Sequence, residues 1–385
     1  MRVSLVSETY PPEINGVALT VRDLAHGLAA QGHGVQVVRP FRADRRDEAG
    51  LRLLDTTSVA LPHYPGLRVG LPASSALRKT WTQLRPDAVY IATEGLLGWS
   101  ALATARCLGI PACTGFHTHF GDYAAHYGVG WTAPLVNRWL LRFHRRAAAT
   151  LVPTHTLAAE LRERGIDNVR VLRRAVDTQL FHPRHRDPML RAFWGAGDDV
   201  PVAIYVGRIA AEKNLDLAVR AYRALREREP RARFVCVGDG PVRKRMAAEN
   251  PDFIFAGARN GHDLARHYAS ADVFVFPSLT ETFGNVTLEA MASGLGVVAF
   301  DRGAAHEHVA NGISGMRVPV DDAQGFVNAF VALGVDEVLR ERVRENARLR
   351  VAPLAPEAVI GQFESLLRQL VEENPHALPV AVARI

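Results

Sequence analysis

The chain has 385 residues, 48% hydrophobic and 22% charged, a composition that gives a globular protein room for two domains and excludes a disordered one. Its three cysteines, Cys107, Cys113 and Cys236, form no CxxC pair and no His/Cys cluster with zinc spacing, which excludes a disulfide framework and a zinc-finger type of site. The net charge is +6, and the excess lies early: residues 1–180 carry 21 Lys and Arg against 14 Asp and Glu, and residues 181–385 carry 25 against 26. That asymmetry points to an anionic partner for the first half, lipid head groups or nucleic acid, with a solvated basic surface as the plain alternative.

In chain order, the opening MRVSLVSETYPPE has too short an apolar run for a signal peptide. No stretch approaches the roughly 20 apolar residues of a membrane span, so a cytosolic chain is expected. The first half offers strands at 2–7, 35–39, 88–92, 112–116, 150–153 and 169–172, with a helix over 17–31 after the first. A stretch rich in Pro, Gly and charge, Asp177–Pro201, predicts the seam between domains. Strands then follow at 202–206, 234–237, 253–256, 273–277 and 297–300, with helices over 215–227, 264–270 and, near the end, 356–372. Most strand runs are continuously apolar, as in parallel strands covered on both faces. The repeated strand-then-helix order predicts a doubly wound parallel sheet, built twice.

Four segments have the composition of ligand loops. Tyr10–Val17, YPPEINGV, follows the first strand, and Gly16 at the start of a helix lets an anion approach the backbone. It lacks the three spaced glycines of a dinucleotide fingerprint, and a tight strand-to-helix turn explains it equally well. Gly207–Asn214, GRIAAEKN, places Arg208 and Lys213 at the carboxyl end of a strand, where ligands of open α/β sheets bind and where two cations suit a diphosphate. In FPSLTETFGNVTLEA, over 276–290, a strand enters a loop and a helix starts near Gly284. Glu281 before that helix and Glu289 inside it could accept hydrogen bonds from the hydroxyls of one polyhydroxylated ligand. Finally, GFHTHF over 115–120 carries His117 and His119; with no third ligand at a metal spacing, a histidine bonding a ligand is the better reading.

Together these motifs resemble the family-four retaining glycosyltransferases. The elements SETYPPEINGV, GFHTHF, VGRIAAEKN, VGDGP and FPSLTETFGNVTLEAMASG occur in that family's order over nearly the whole chain. The likeness is nearest to glycolipid-making members, through GFHTHF and the Trp/Arg-rich segment after it. The resemblance implies a GT-B fold: two Rossmann-like doubly wound parallel-sheet domains facing a central cleft. Residues 1–177, rejoined by the last helix over 356–385, would form an acceptor domain, and 178–355 a nucleotide-sugar donor domain. It also implies roles. Gly16 would admit the donor phosphate; Arg208 and Lys213 would clamp the diphosphate. Glu281 would hold sugar hydroxyls beside the amides of Phe283, Gly284 and Asn285. Glu289 would bind the ribose, and His117 would touch the donor sugar near the reaction centre. One departure is Ala175-Val176-Asp177, where related chains often have a glycine before Val-Asp.

The expected function is transfer of a hexose from a UDP- or GDP-sugar to an acceptor hydroxyl. His117, Arg208, Lys213 and Glu281 are the expected catalytic set. No cofactor or metal site is expected, and a divalent ion would be optional. The segment WTAPLVNRWLLRFHRR, over 131–146, interleaves aromatic and basic residues as a membrane interface does. It points to a lipid acceptor, such as diacylglycerol or a glycolipid, and to a peripheral place at the inner membrane face; a packed helix with solvated arginines is the alternative. A sugar-nucleotide epimerase or hydrolase of the same form, a transferase acting on a soluble or polysaccharide acceptor, and a non-catalytic nucleotide- or nucleic-acid-binding protein are the rival readings. The two sugar-facing acids argue against the last, so nucleic acid is not an expected partner.

Overall fold

The structure, a computed structural model, describes residues 1–13, 15–43, 48–60, 68–117, 133–279 and 283–374. The chain divides into two compact units, Met1–Arg173 with Pro356–Ile385, and Arg174–Ala355.

The first unit is built on parallel strands β1 (Arg2–Val6), β2 (Gly34–Pro40), β3 (Leu51–Thr56), β6 (Ala88–Ile91), β7 (Ala112–Gly115), β8 (Ala149–Val152) and β9 (Val169–Val171), with a small antiparallel pair, β4 (Ser58–Ala60) and β5 (Arg68–Gly70), to one side. Among the described residues their order is β3-β2-β1-β6-β7-β8-β9. β1 pairs with β2 on one side, Val3 opposite Val35, and with β6 on the other, Val3 opposite Ala88. The strand order therefore reverses between β1 and β6. β6 and β8 are buried at every residue, which is why their sequences are apolar without alternation. The helix Gly16–Ala30 buries Ala18, Val21, Leu24, Ala25 and Leu28, a stripe at helical spacing. The last helix, Pro356–Glu372, returns to this unit, and its Val359, Phe363, Leu367 and Leu370 share one core with Val21, Leu24 and Leu28. Each such buried side chain contributes about 1.5–3 kcal/mol. Gly27 makes the approach close: a Cβ there would overlap the Ile360 side chain.

The second unit contains β10 (Val202–Val206), β11 (Arg233–Val237), β12 (Ile254–Gly257), β13 (Val273–Phe276), β14 (Gly296–Phe300) and β15 (Met316–Val318), in the order β12-β11-β10-β13-β14-β15 among the described residues. All neighbours are parallel, and the order reverses between β10 and β13. Asp177–Pro201, expected as a seam, is packed on this unit. Phe181 and Trp194 lie in its core. The Arg191 side chain, 1% exposed, donates to Asp272 Oδ2 at 3.0 Å and to the carbonyls of Ser270, Gly197 and Val200. Burying an arginine this deeply is tolerable only with so many acceptors around it.

Candidate functional site

In open α/β sheets, ligands bind outside the carboxyl ends of the strands where the order reverses. In the second unit that point lies between β10 and β13, and two of the sequence-predicted loops leave from there. Beyond β10, Gly207 takes φ +149° and Gly238, beyond β11, φ +135°. A Cβ on Gly238 would overlap the Gly207 carbonyl, so only glycine lets the two loops touch. They are joined by Gly207 N to Val237 O at 3.0 Å and Ile209 N to Asp239 O at 2.9 Å. The Tyr205 hydroxyl donates to the Arg208 carbonyl at 2.9 Å, fixing the loop from below. With its backbone held, Arg208 turns its side chain outward: it is 53% exposed, and among the described residues its nearest carboxylate is Glu212 Oε1 at 3.9 Å. An ion pair that long and exposed is weak, about 0–1 kcal/mol, and leaves the guanidinium able to take an anion. Lys213 closes the following turn, Ala211–Lys213, and is half-buried.

Beyond β13 the chain passes through Pro277 and Leu279. Residues 280–282, with Glu281, lie outside the described residues. Phe283 is buried, and its carbonyl accepts from Ala304 N at 2.6 Å. Gly284 then adopts φ +86° and ψ 68°, and as the N-cap of the helix Asn285–Ala292 it has no side chain of its own to cap the first amides. Such a start offers N–H donors to an oxyanion. One turn in, Glu289 is half-buried and accepts a hydrogen bond from the Tyr268 hydroxyl at 3.0 Å. Burial pushes the Glu289 carboxyl up to about 7, and the Tyr268 bond opposes that rise only in part. The buried Tyr268 is itself raised, by burial first and then by the Glu289 charge, and it senses Tyr205 as well. Tyr205 thus supports the Arg208 loop, and Tyr268 the Glu289 carboxylate. Tyr268 is the support that sequence reasoning missed: a tyrosine on a helix gives no signal of a carboxylate partner.

In the first unit, Gly16 does open a helix, but the helix is capped from within. The Asn15 side chain accepts from Val17 N at 3.1 Å and Ala18 N at 2.9 Å. Its amide donates to Thr9 Oγ1, which donates to Glu13, and Glu13 pairs with Arg42 at 3.0 Å. Two of the donors expected for an anion are therefore occupied by Asn15. His117 is half-buried, with Nε2 at 2.7 Å from the hydroxyl of the buried Tyr90. Gly115 makes room for both, since a Cβ there would overlap the imidazole and that hydroxyl. His119 and Trp131 lie outside the described residues.

Comparison with known proteins accords with this arrangement. The model for Glycosyltransferase Family 4 matches residues 14–180, and the model for Glycosyl transferases group 1 matches residues 200–336. A GDP-mannose-dependent alpha-mannosyltransferase of Mycobacterium tuberculosis is 34% identical over 377 residues, covering 95% of this chain and 97% of that one. An alpha-monoglucosyldiacylglycerol synthase of Acholeplasma laidlawii is 26% identical over 405 residues, covering 97% and 98%. The solved sucrose-phosphate synthase of Thermosynechococcus elongatus superposes with a TM-score of 0.78 at 23% identity, covering 96% of this chain and 99% of that one. The chain belongs to the family 4 glycosyltransferases, and its two doubly wound parallel-sheet units are those of the GT-B fold.

Proposed function

We propose that this glycosyltransferase moves a hexose from a nucleoside diphosphate sugar to a hydroxyl of a membrane lipid, with retention of configuration. The observation that carries the donor half is the array at the reversal point of the second sheet: an outward Arg208, Lys213 one turn on, a helix start with glycine as its N-cap at Gly284–Asn285, and Glu289 held by Tyr268. In this reading the bond from the sugar to the diphosphate breaks, the acceptor oxygen bonds to the same face, and the acceptor proton passes to the departing phosphate oxygen. Charge grows on that phosphate. Arg208, Lys213 and the amides of Phe283, Gly284 and Asn285 answer it as preorganised donors. Glu289 takes the ribose hydroxyls and Glu281 those of the sugar. Gly16 admits the phosphate, and His117 meets the sugar. The reaction needs no cofactor, and because side-chain cations carry the charge stabilisation, a divalent ion is optional.

The Mycobacterium tuberculosis relative is named for GDP-mannose, which makes GDP-mannose the first donor to try ahead of UDP-sugars. The Acholeplasma laidlawii relative is named for a glucosyldiacylglycerol product, which favours a lipid acceptor. The helix Ala133–His144 supports it: Leu135 is 69% and Trp139 44% exposed, beside exposed Arg138 and Arg142. An apolar and basic face of this kind suits the head-group region of an anionic bilayer, which supports a peripheral place at a membrane surface, in this reading the inner face. Among the described residues no helix is long and apolar enough to cross a membrane. The test is a panel of GDP- and UDP-sugars incubated with membrane lipid extract. Lipid-dependent release of nucleoside diphosphate with a new glycolipid is expected; release that is independent of lipid would point to hydrolysis instead.

A further inference from the structure

The helix Glu337–Val351 of the second unit has apolar residues on two opposite faces. One face is structural. Val343, Ala347 and Val351 are buried, one turn apart, and pack the helix onto β14 and onto the helix Asn285–Ala292 that carries Glu289. Three of its arginines are used inside the unit. Arg340 donates to the carbonyls of Leu333 and Gly334, Arg344 to the Gly294 carbonyl and to Glu341, and Arg348 to His182 Nε2 at 2.7 Å.

The other face is open. Val338 is 81% and Leu349 72% exposed, and Arg342 and Glu345 between them are exposed as well. At about 100° per residue these four side chains fall within an arc of about 60°, on the side away from Val343, Ala347 and Val351. Among the described residues neither Arg342 nor Glu345 makes an ion pair, although they stand three positions apart on the same face.

The stripe reads Val-Arg-Glu-Leu, and it complements itself when reversed. The pair Val338 and Leu349 and the pair Arg342 and Glu345 are centred on the same point of the helix, between Val343 and Arg344. A two-fold axis through that point sets two copies of the helix antiparallel. Val338 of each copy then meets Leu349 of the other at the two ends of the contact, ~16 Å apart at about 1.5 Å per residue. In the middle, Arg342 of each copy meets Glu345 of the other. One patch facing its own copy is the form that a closed two-fold dimer requires. The charges fix the direction, since a parallel pairing would set Arg342 on Arg342 and Glu345 on Glu345. A bilayer fits this face less well, because the stripe carries one charge of each sign and so no net attraction for anionic lipid.

We propose that the helix Glu337–Val351 is a self-association surface, on which a second copy of this chain docks antiparallel through Val338, Arg342, Glu345 and Leu349. A contact of one helix per copy is smaller than the ~1,200 Å² at which stable complexes begin, so the dimer exchanges with monomer and depends on concentration. The same helix packs on the helix that carries Glu289, so dimer formation stabilises the second unit, and its melting temperature rises with protein concentration.

The test is sedimentation equilibrium of the full chain over a hundredfold range of concentration, with thermal melting at both ends of that range. The wild type is expected to pass from the mass of one chain toward that of two, and to melt higher at the upper end. Val338→Glu is expected to stay monomeric throughout. Arg342→Glu and Glu345→Arg are each expected to self-associate at least tenfold more weakly, because like charges then meet at the centre. Mixed in equal amounts, these two variants are expected to recover the wild-type affinity within threefold, an acidic copy now facing a basic one. The double variant Arg342→Glu with Glu345→Arg is expected to recover it alone. All these positions are exposed, so a variant that melts with the wild type at the lower concentration has lost the contact and kept the fold. A wild type that stays monomeric over the whole range overturns the proposal. So does a dimer that Val338→Glu and both charge variants leave unchanged, which would put the contact elsewhere, and so does a mixture that fails to recover, which would rule out the antiparallel pairing. A monomeric wild type that sediments with anionic vesicles until Val338 is replaced by Glu would give the face to a bilayer and refute the proposal equally.

Discussion

Replacing Glu289 by Gln separates what this residue does for the ligand from what it does to the fold. In the unfolded chain a glutamate ionises near 4.5, whereas in the folded unit burial raises Glu289 to about 7. Between those values the unfolded chain has released a proton that the folded chain still holds. Stability therefore falls as pH rises from about 4.5 to about 7, and stays low above that. At 1.36 kcal/mol per pH unit, the gap comes to roughly 3 kcal/mol. Gln removes this penalty while its amide oxygen still accepts from Tyr268. Melting followed at pH 5 and pH 8 is expected to show little gain at pH 5. At pH 8 the second unit is expected to gain about 6–12 °C, on a scale of about 2–4 °C per kcal/mol for units of this size. The same variant is expected to bind nucleoside diphosphate at least tenfold more weakly, because a neutral amide is a poorer acceptor for two ribose hydroxyls. A variant that melts no higher at pH 8, or gains equally at both pH values, would refute the reasoning that an ionised, buried Glu289 is held at a cost to stability for its ligand.

Three further outcomes follow from the same site. Arg208→Ala and Lys213→Ala are each expected to cut turnover at least tenfold, about 1.4 kcal/mol in the transition state, with melting temperature unchanged, as read by nucleoside diphosphate release. Gly238→Ala is expected to destabilise the second unit and weaken nucleotide binding together, since φ +135° and the Gly207 carbonyl both oppose a Cβ; thermal melting with and without nucleoside diphosphate checks it. Donor affinity in the wild type is expected to fall as pH drops below about 7 and Glu289 takes up its proton, measured by titration calorimetry across pH 5.5–8.5.

The strands were legible because burial on both faces leaves no choice but apolar runs: VAIYV and VFVF are buried at every position. β3 and β15, at the edges of their sheets, were not foreseen. Their residues are mostly half-buried and their sequences, RLLD and MRV, carry charge among the apolar positions. The small β4–β5 pair was missed for the same reason, being short and half exposed at β4. Arg208 and Lys213 could be proposed as ligand groups because they share a loop at the carboxyl end of a strand, and Glu289 because it stands among Leu288, Ala290 and Met291. Their supports could not. Tyr205 and Tyr268 look like ordinary core aromatics until their hydroxyls are seen on the Arg208 carbonyl and the Glu289 carboxylate. The same holds for Asn15, whose capping of Val17 and Ala18 is one side chain's choice of partner, and for the pairing of Glu94 with His144 from segments 50 positions apart in the chain. Asp177–Pro201, read as the seam from its Pro, Gly and charge, begins a few residues after the boundary of the second unit at Arg174. Its packing was not legible: Arg191 finds four acceptors and Phe181 and Trp194 lie in the core of the second unit.

The central claim is that the donor's diphosphate and ribose are held at the β10–β13 reversal point. The most direct measurement is a crystal structure of the enzyme with GDP or UDP bound. The account predicts phosphate oxygens within hydrogen-bond reach of Arg208, Lys213 and the amides at Gly284–Asn285, and both ribose hydroxyls on Glu289. A nucleotide bound away from that loop pair, with Glu289 still facing only Tyr268, would contradict it.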